Sequence, residues 1–278
     1  MKPRPDSVLA SVRAITSLQN ERVKMIRSLE MRKVRRETGL FVAEGASVLV
    51  TARDAGWKPV ILAFLAGSAG AGMHRELLNW AKDSGAECLE VSAAVLGKLA
   101  AKDNPQTMLA VFEQRWQELP RTPDVSPTSL WVVLENVRDP GNLGTIIRTA
   151  DAVGADGIML VGNCADPYSR ESVRATMGSV FDIPLVRDTH TDFLAWAKAW
   201  RGDVVGTQLD AVEDFRAVSY RAPVLLLMGS EGPGLSPESA AACTRKVKIP
   251  MAGRLDSLNL AVATALVLYE LRRDRLRL

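Results

Sequence analysis

The sequence predicts an α/β fold, with a small N-terminal α/β domain followed by a larger C-terminal domain built on a parallel sheet. Three observations predict it. Short, almost purely apolar runs, clearest at 130–134 and 224–228, read as strands buried on both faces. Segments of helical spacing fall between such runs, so strand and helix alternate. The stretch LPRTPDVSPTS at 119–129 holds Pro120, Pro123 and Pro127, a density that breaks helix and strand alike. The domains therefore read as 1–118, a linker at 119–129, and 130–278.

In the first domain, GASVLVTARDAG at 45–56 predicts a short helix ended by Gly56. An apolar strand follows at 60–65, a flexible turn at 67–72 and a helix at 73–83. Strands at 88–91 and 108–112 flank a helical stretch at 93–101. The second domain begins with the strand at 130–134, the loop VRDPG and a helix at 142–153. Then come a strand at 157–161, a helix at 170–180, a strand at 183–186 and a helix at 192–200. Strands at 204–207, 224–228 and 246–249 complete the sheet. A helix from about 256 to 273 ends the chain, apolar nearly all round between 258 and 269.

Composition bounds the function. The 278 residues are 47% hydrophobic and 24% charged, an ordinary globular balance that excludes disorder, collagen-like repeats and coiled coils. The three cysteines, Cys88, Cys164 and Cys243, form no CxxC pair, which argues against a disulfide framework or a cysteine zinc site. Only His74 and His190 are available for metal or triad chemistry, so no metal is expected. The N-terminus lacks a signal-peptide apolar core, and no run reaches the roughly 18 apolar residues of a spanning helix. A cytoplasmic protein without a membrane partner is expected.

The net charge of +3 is unevenly spread: residues 1–58 carry +6 and the remainder −3. Seven of the twelve basic residues in that segment fall in ERVKMIRSLEMRKVRR, among them Arg22, Lys24, Arg32, Lys33, Arg35 and Arg36. Such a stretch binds phosphates by releasing counterions. It also reads as a solvated helix face with Val23, Ile26, Leu29 and Met31 turned inward.

Ligands of open parallel sheets sit outside the carboxyl ends of the strands, and three loops there are unusual. In ENVRDPGNLGTIIRTADAVG, Asp139-Pro140-Gly141 forms a tight turn, and Asn142, Thr145 and Arg148 follow at spacings of three, which predicts that they lie close together along one side of the next helix. Arg148 reads equally as a functional cation or a snorkelling surface arginine. MGSEGPGLSPES at 228–239 fits neither the G-x-S-x-G elbow nor the G-x-G-x-x-G fingerprint. Its Glu231 alone reads as a solvated carboxylate. In IPMAGRLDSLNLAVATALVLYEL, Asp256 or Ser257 can cap the last helix, while Asn259 among apolar neighbours reads as a satisfied core or interface amide, or as a functional one.

Together the ordered segments DPGNLGTIIRTADAVGADGI, MGSEGPGLS and IPMAGRLDSLNLAVA resemble the three motifs of the SpoU, or TrmH-like, branch of the SPOUT RNA ribose 2′-O-methyltransferases. The N-terminal ITSLQNERVKMIRSLEMRKVRRETGLFVAEGASVL is similar to the RNA substrate-binding domain of the same enzymes. The resemblance implies a trefoil knot in the C-terminal domain, a homodimer and S-adenosyl-L-methionine as methyl donor. It implies an RNA partner, ribosomal RNA ahead of transfer RNA. One departure is visible: Leu260 and Ala261 stand where the family has valine and serine.

The resemblance also assigns roles. Arg148 stabilises the charge developing on the ribose oxygen, since arginine's pKa exceeds about 12 and makes it a poor base. Asn142, Glu231, Ser257 and Asn259 orient Arg148 and the ribose. Gly229, Ile249 and Leu258 hold the donor, with Thr207 to Leu209 as a further wall. The competing readings are a non-catalytic RNA-binding protein that kept the fold and a Rossmann-type oxidoreductase, the latter disfavoured by the failed fingerprint.

Overall fold

A computed structural model describes residues 12–100 and 106–276. The leading residues 1–11 and residue 101, the last of the helix expected at 93–101, lie outside the described residues. The described chain forms two compact units. One comprises the residues through Gln114 together with Tyr168–Phe181; the other comprises Arg115–Pro167 and the residues from Asp182 on.

The first unit runs β1 (Arg13–Ile15), α1 (Glu21–Ser28), α2 (Arg32–Thr38), β2 (Leu40–Glu44), α3 (Ala46–Asp54), β3 (Pro59–Leu65), α4 (Gly72–Asp83), β4 (Glu87–Val91), α5 (Ala93–Ala100) and β5 (Met108–Glu113). Its sheet has the order β1-β4-β3-β5-β2, with β5 antiparallel to both neighbours and the other pairs parallel. Val23, Ile26 and Leu29 are buried as the apolar spacing requires, but Met31 is 57% exposed. The reason is local. The basic stretch is two helices, and Met31 is the extended N-cap residue between them.

The helix expected at 170–180 stops at Thr176, because Met177 and Gly178 take φ of 53° and 110°. A 3-10 turn, Ser179–Phe181, follows. This segment joins the first unit for a physical reason that spacing did not reveal. Tyr168 and Phe181 complete an aromatic cluster, with ring centroids 4.7 Å from Phe41 and 5.0 Å from Phe112 respectively. The Trp57 indole donates to the Phe181 carbonyl at 2.7 Å. Arg170 and Arg174 share the buried carboxylate of Glu44, at 2.5 and 3.0 Å.

The second unit runs β6 (Leu130–Glu135), α6 (Pro140–Ala152), β7 (Gly157–Val161), then past α7 (Arg170–Thr176) to β8 (Leu185–Asp188), α8 (His190–Lys198), β9 (Asp203–Thr207), β10 (Glu213–Asp214), β11 (Val224–Met228), α9 (Pro237–Ala242), β12 (Arg245–Lys248) and α10 (Leu260–Arg272). Its seven strands, in the order β10-β12-β9-β11-β6-β7-β8, are parallel at every pairing, as the continuous apolar runs predict. The stretch 119–129 holds only a 3-10 turn at Thr122–Asp124, and it is pinned to this unit rather than free: the Trp196 indole donates to the Pro120 carbonyl at 2.8 Å.

The last helix begins at Leu260, four residues later than expected. Asn259, not Asp256 or Ser257, is its cap; the Asn259 Oδ1 accepts from the backbone N–H of Ala261 and Val262 at 2.9 and 3.2 Å. At the other end Arg272 is buried and donates to the carbonyls of Thr128 and Gly154, at 2.9 and 3.0 Å, and to Asp156. Burial pulls its guanidinium below the usual arginine range.

Of the basic residues in the N-terminal stretch, Arg35 is a correction. Only 4% of it is exposed, and its guanidinium donates to the carbonyls of Leu29 and Glu30, both at 2.8 Å. It closes the turn between α1 and α2 instead of presenting charge to a polyanion. Arg35→Gln should therefore lower stability by about 1–3 kcal/mol, the cost of stranding buried polar partners, whereas exposed Arg36→Gln should leave the melting temperature unchanged. Thermal unfolding of the two variants checks this.

Candidate active site

The C-terminal ends of β6, β9, β11 and β12 share one edge of the second unit, so the loops after them converge. Asp139 caps α6, its carboxylate accepting from the Asn142 backbone N–H at 2.6 Å, with Pro140 at the first helical position. After β11 the chain folds back on itself. Ser230 and Gly234 exchange backbone hydrogen bonds at 3.0 Å each way, and Gly232 and Gly234 take φ of 87° and 75°. Gly229 is required by space: a Cβ there would lie 2.0 Å from the backbone carbon of Gly234. This tight turn projects Glu231 outward.

The three loops meet through side chains. The Asn142 amide Nδ2 donates to a Glu231 carboxylate oxygen. The Asn259 Nδ2 donates to the Asn142 Oδ1 at 3.0 Å. The Asn259 Oδ1 then accepts from the start of α10. The direction of this chain is forced. An ionised carboxylate only accepts, so Asn142 must turn its NH2 to Glu231 and its oxygen to Asn259. Asn259 is thus an exposed, capping amide, not a core asparagine.

A cleft of ≈ 830 Å³ opens between these loops. Thr207, Gly229, Ile249 and Leu258, the expected donor-binding residues, all line it, as do Ser257, Asn259 and Glu231. Sequence reasoning missed Asp210, Met251 and the part Asp256 plays in the wall; the rule that loops after strands carry ligands points to the first two. The cleft fits a sulfonium donor. Its size suits a small-molecule site, and Asp210, Glu231 and Asp256 outnumber Lys248 on its walls, which favours a cation and repels a pyrophosphate.

Arg148 is not brought to this group. Residues three apart drift by about 60° on a helix of 3.6 residues per turn, so Arg148 lies about 120° round α6 from Asn142. It is exposed, and no hydrogen bond or ion pair joins it to another described residue. Among the expected RNA contacts, Arg22 pairs with Glu87 at 2.7 Å, Lys24 with Glu21 at 3.5 Å and Lys33 with Glu37 at 3.9 Å; Arg32 and Arg36 are exposed.

Two other chemistries fail on geometry. His190 Nε2 alone faces Glu135 Oε1, Ser236 Oγ and Ser239 Oγ, at 3.4, 3.2 and 3.1 Å, whereas a hydrolase triad uses both ring nitrogens. Burial pushes the Cys243 thiol up to about 11, so it stays protonated near neutral pH and is no nucleophile. No group of three or more His, Cys, Asp or Glu among the described residues could hold a metal.

Residues 129–269 match the SpoU rRNA Methylase family, and residues 20–110 match the MRM3-like substrate binding domain. The chain belongs to the SpoU rRNA methylase family. It is similar to an AdoMet-bound rRNA methyltransferase structure from Sinorhizobium meliloti, with 45% identity, a TM-score of 0.87 and 96% and 99% of the two chains covered. It is 34% identical to the 23S rRNA (uridine(2479)-2′-O)-methyltransferase of Streptomyces viridochromogenes, over 96% of this chain and 94% of that one. It is 29% identical to the 23S rRNA (guanosine(2553)-2′-O)-methyltransferase RlmP of Bacillus subtilis, over 94% and 100%.

Gly229→Ala should displace the Ser230–Gly234 turn and abolish donor binding in calorimetry. Gly253→Ala, where a Cβ meets nothing within 4 Å, should leave donor affinity unchanged.

Proposed function

We propose that this chain is an S-adenosylmethionine-dependent methyltransferase acting on a ribose 2′-OH of ribosomal RNA. The observation that carries the reading is the convergence of the three family motifs, through Glu231, Asn142 and Asn259, on one cleft suited to a cationic donor. Relatives that act on 23S rRNA and the match of the first unit to a substrate-binding domain favour ribosomal over transfer RNA.

When bound, S-adenosylmethionine supplies an electrophilic methyl group. The Thr207, Gly229, Ile249 and Leu258 walls would hold it, and Asp210 and Asp256 would offset its positive charge. Transfer forms an oxygen–carbon bond at the ribose, breaks a sulfur–carbon bond and releases the hydroxyl proton to solvent. Asn142, Glu231, Ser257 and Asn259 position the acceptor. Arg148, which stands apart from this group within one chain, is the cation that the first motif offers to stabilise the oxygen as it loses its proton.

The reading includes a homodimer built on α10, whose Val262, Leu266 and Tyr269 are exposed although the helix packs along α6. It includes the trefoil knot, supported by the return of the 249–259 segment from β12 to the α6 loop, where Asn259 meets Asn142. Arg32, Lys33 and Arg36, exposed on α2, and Arg22 and Lys24 on α1 form the RNA-binding face. A cytoplasmic location suits three cysteines that form no disulfide among the described residues; no described helix is long and apolar enough to cross a membrane.

The test is Arg148→Ala in single-turnover methylation of total RNA from cells lacking the gene. Donor affinity and melting temperature should stay near wild type, while the rate falls by about 10²-fold, the scale of one lost stabiliser of developing negative charge. Arg148→Lys should recover little, because ammonium lacks the planar donor set of guanidinium. A wild-type rate in Arg148→Ala would remove Arg148 from the chemistry.

A further inference from the structure

One tryptophan of the second unit is not part of its core. Trp131, Trp196 and Trp200 are 6%, 6% and 8% exposed and pack together on one face of the sheet. Trp116, on the segment that follows Gln114, is only half-buried. That segment lies along the outer edge of β8, where the Gln117 backbone N–H donates to the Leu185 carbonyl at 2.9 Å. Farther along β8, the guanidinium of exposed Arg187 sits 3.9 Å over the Trp116 ring. Val186 faces the core that α8 covers, so Arg187 points to the opposite side of the sheet. Neither Trp116 nor Arg187 lies in the three family motifs.

The pair has the chemistry of a stacking surface. Trp116 covers one face of the guanidinium plane and holds it flat, at a cation–π distance. A flattened guanidinium is a surface on which a nucleobase stacks. Charge favours a base over a phosphate here. Arg115 and Arg187 are offset by Glu118 and Asp188 beside them, so no strong positive field marks the place as a phosphate patch. The strand register fixes its distance from the donor cleft. Arg187 is level with Leu160, Leu160 with Leu134, and Leu134 with Met228, the β11 residue that lines that cleft. Three strand spacings of ~4.8 Å make about 14 Å, or about four stacked nucleotides at ~3.4 Å each.

Resting on the RNA methyltransferase reading, we propose that the Arg187–Trp116 pair is a stacking site for an unpaired nucleobase of the substrate RNA, a few nucleotides from the one that receives the methyl group. Single strands, loops and bulges offer such bases, whereas a duplex hides their faces. The site therefore selects RNA that is unpaired beside the acceptor. Arg187 meets the base. Trp116 is a positioning residue, since it acts by holding the guanidinium plane. At about 14 Å from the donor cleft the pair does not touch the reacting atoms. It adds to RNA affinity and sets the direction in which the strand leaves the cleft.

The experiment uses the full chain and two labelled single strands of about 12 nucleotides, within the range of single-strand sites. One is oligoadenylate, and the other is the same ribose-phosphate backbone without bases. The wild type should bind oligoadenylate about tenfold more tightly, the scale of one stacked base. Arg187→Lys keeps the charge but loses the plane. It should bind the abasic strand as the wild type does and lose most of the preference for oligoadenylate. Trp116→Leu, which leaves the guanidinium unsupported, should do the same; if it lowers the melting temperature, Arg187→Lys at its exposed edge-strand position decides alone. With total RNA from cells lacking the gene, Arg187→Lys should raise the RNA KM severalfold with kcat, donor affinity and melting temperature unchanged. If the wild type methylates RNA but shows no preference for oligoadenylate, or Arg187→Lys keeps that preference in full, the pair does not stack a base and this inference alone falls. If the wild type binds no donor and methylates no RNA, the methyltransferase reading falls and takes this one with it.

Discussion

The chain of hydrogen bonds from Glu231 through Asn142 to Asn259 is the constraint on which the second unit's chemistry depends. Each link belongs to a different loop, and the loops are far apart in sequence. Each polar group also has a single permitted direction, since a carboxylate cannot donate and the N–H groups at the start of α10 cannot accept. The result is a junction that tolerates one arrangement of the three loops. As an exposed contact it adds little to global stability; its effect is to set the shape of the cleft beside it.

The rest of the unit serves that junction. Parallel strands bring the ends of β6, β9, β11 and β12 to one edge, which no antiparallel meander would do. α10 is held at both ends, by Asn259 at its start and by buried Arg272 on the Thr128 and Gly154 carbonyls at its finish. A helix fixed in this way cannot slide along α6 without breaking polar contacts at one end or the other. Gly229 and Gly234 let the Glu231 turn fold tightly enough to wall the cleft beside it.

Much of this was legible in the residues. The apolar runs located the parallel strands to within two residues or so, and the three motifs contained every side chain of the junction. What was not legible depended on competition between distant groups. Asn259 outcompetes Asp256 and Ser257 as a helix cap because Asn142 also holds its amide, a contact 117 residues away. Arg35 reads as one more cation in a basic run until its carbonyl partners are placed. Tyr168–Phe181 joins the first unit through aromatic rings and Glu44 that no periodicity announces. β1, β2 and β10 are short or lie at sheet edges, where pattern signals are weak. Spacing by three suggested that Asn142 and Arg148 share a face, but helical drift separates them.

The central claim is that the junction shapes the donor cleft, and a double-mutant cycle on donor affinity tests it most directly. S-adenosylmethionine binding would be measured by calorimetry for the wild type, Glu231→Gln, Asn142→Ala and the double variant, all checked for an unchanged melting temperature. The account predicts that the two losses overlap, with an interaction energy of about 1 kcal/mol or more between the positions. Losses that simply add, to within about 0.3–0.5 kcal/mol, would contradict it and leave Glu231 and Asn142 as independent wall residues.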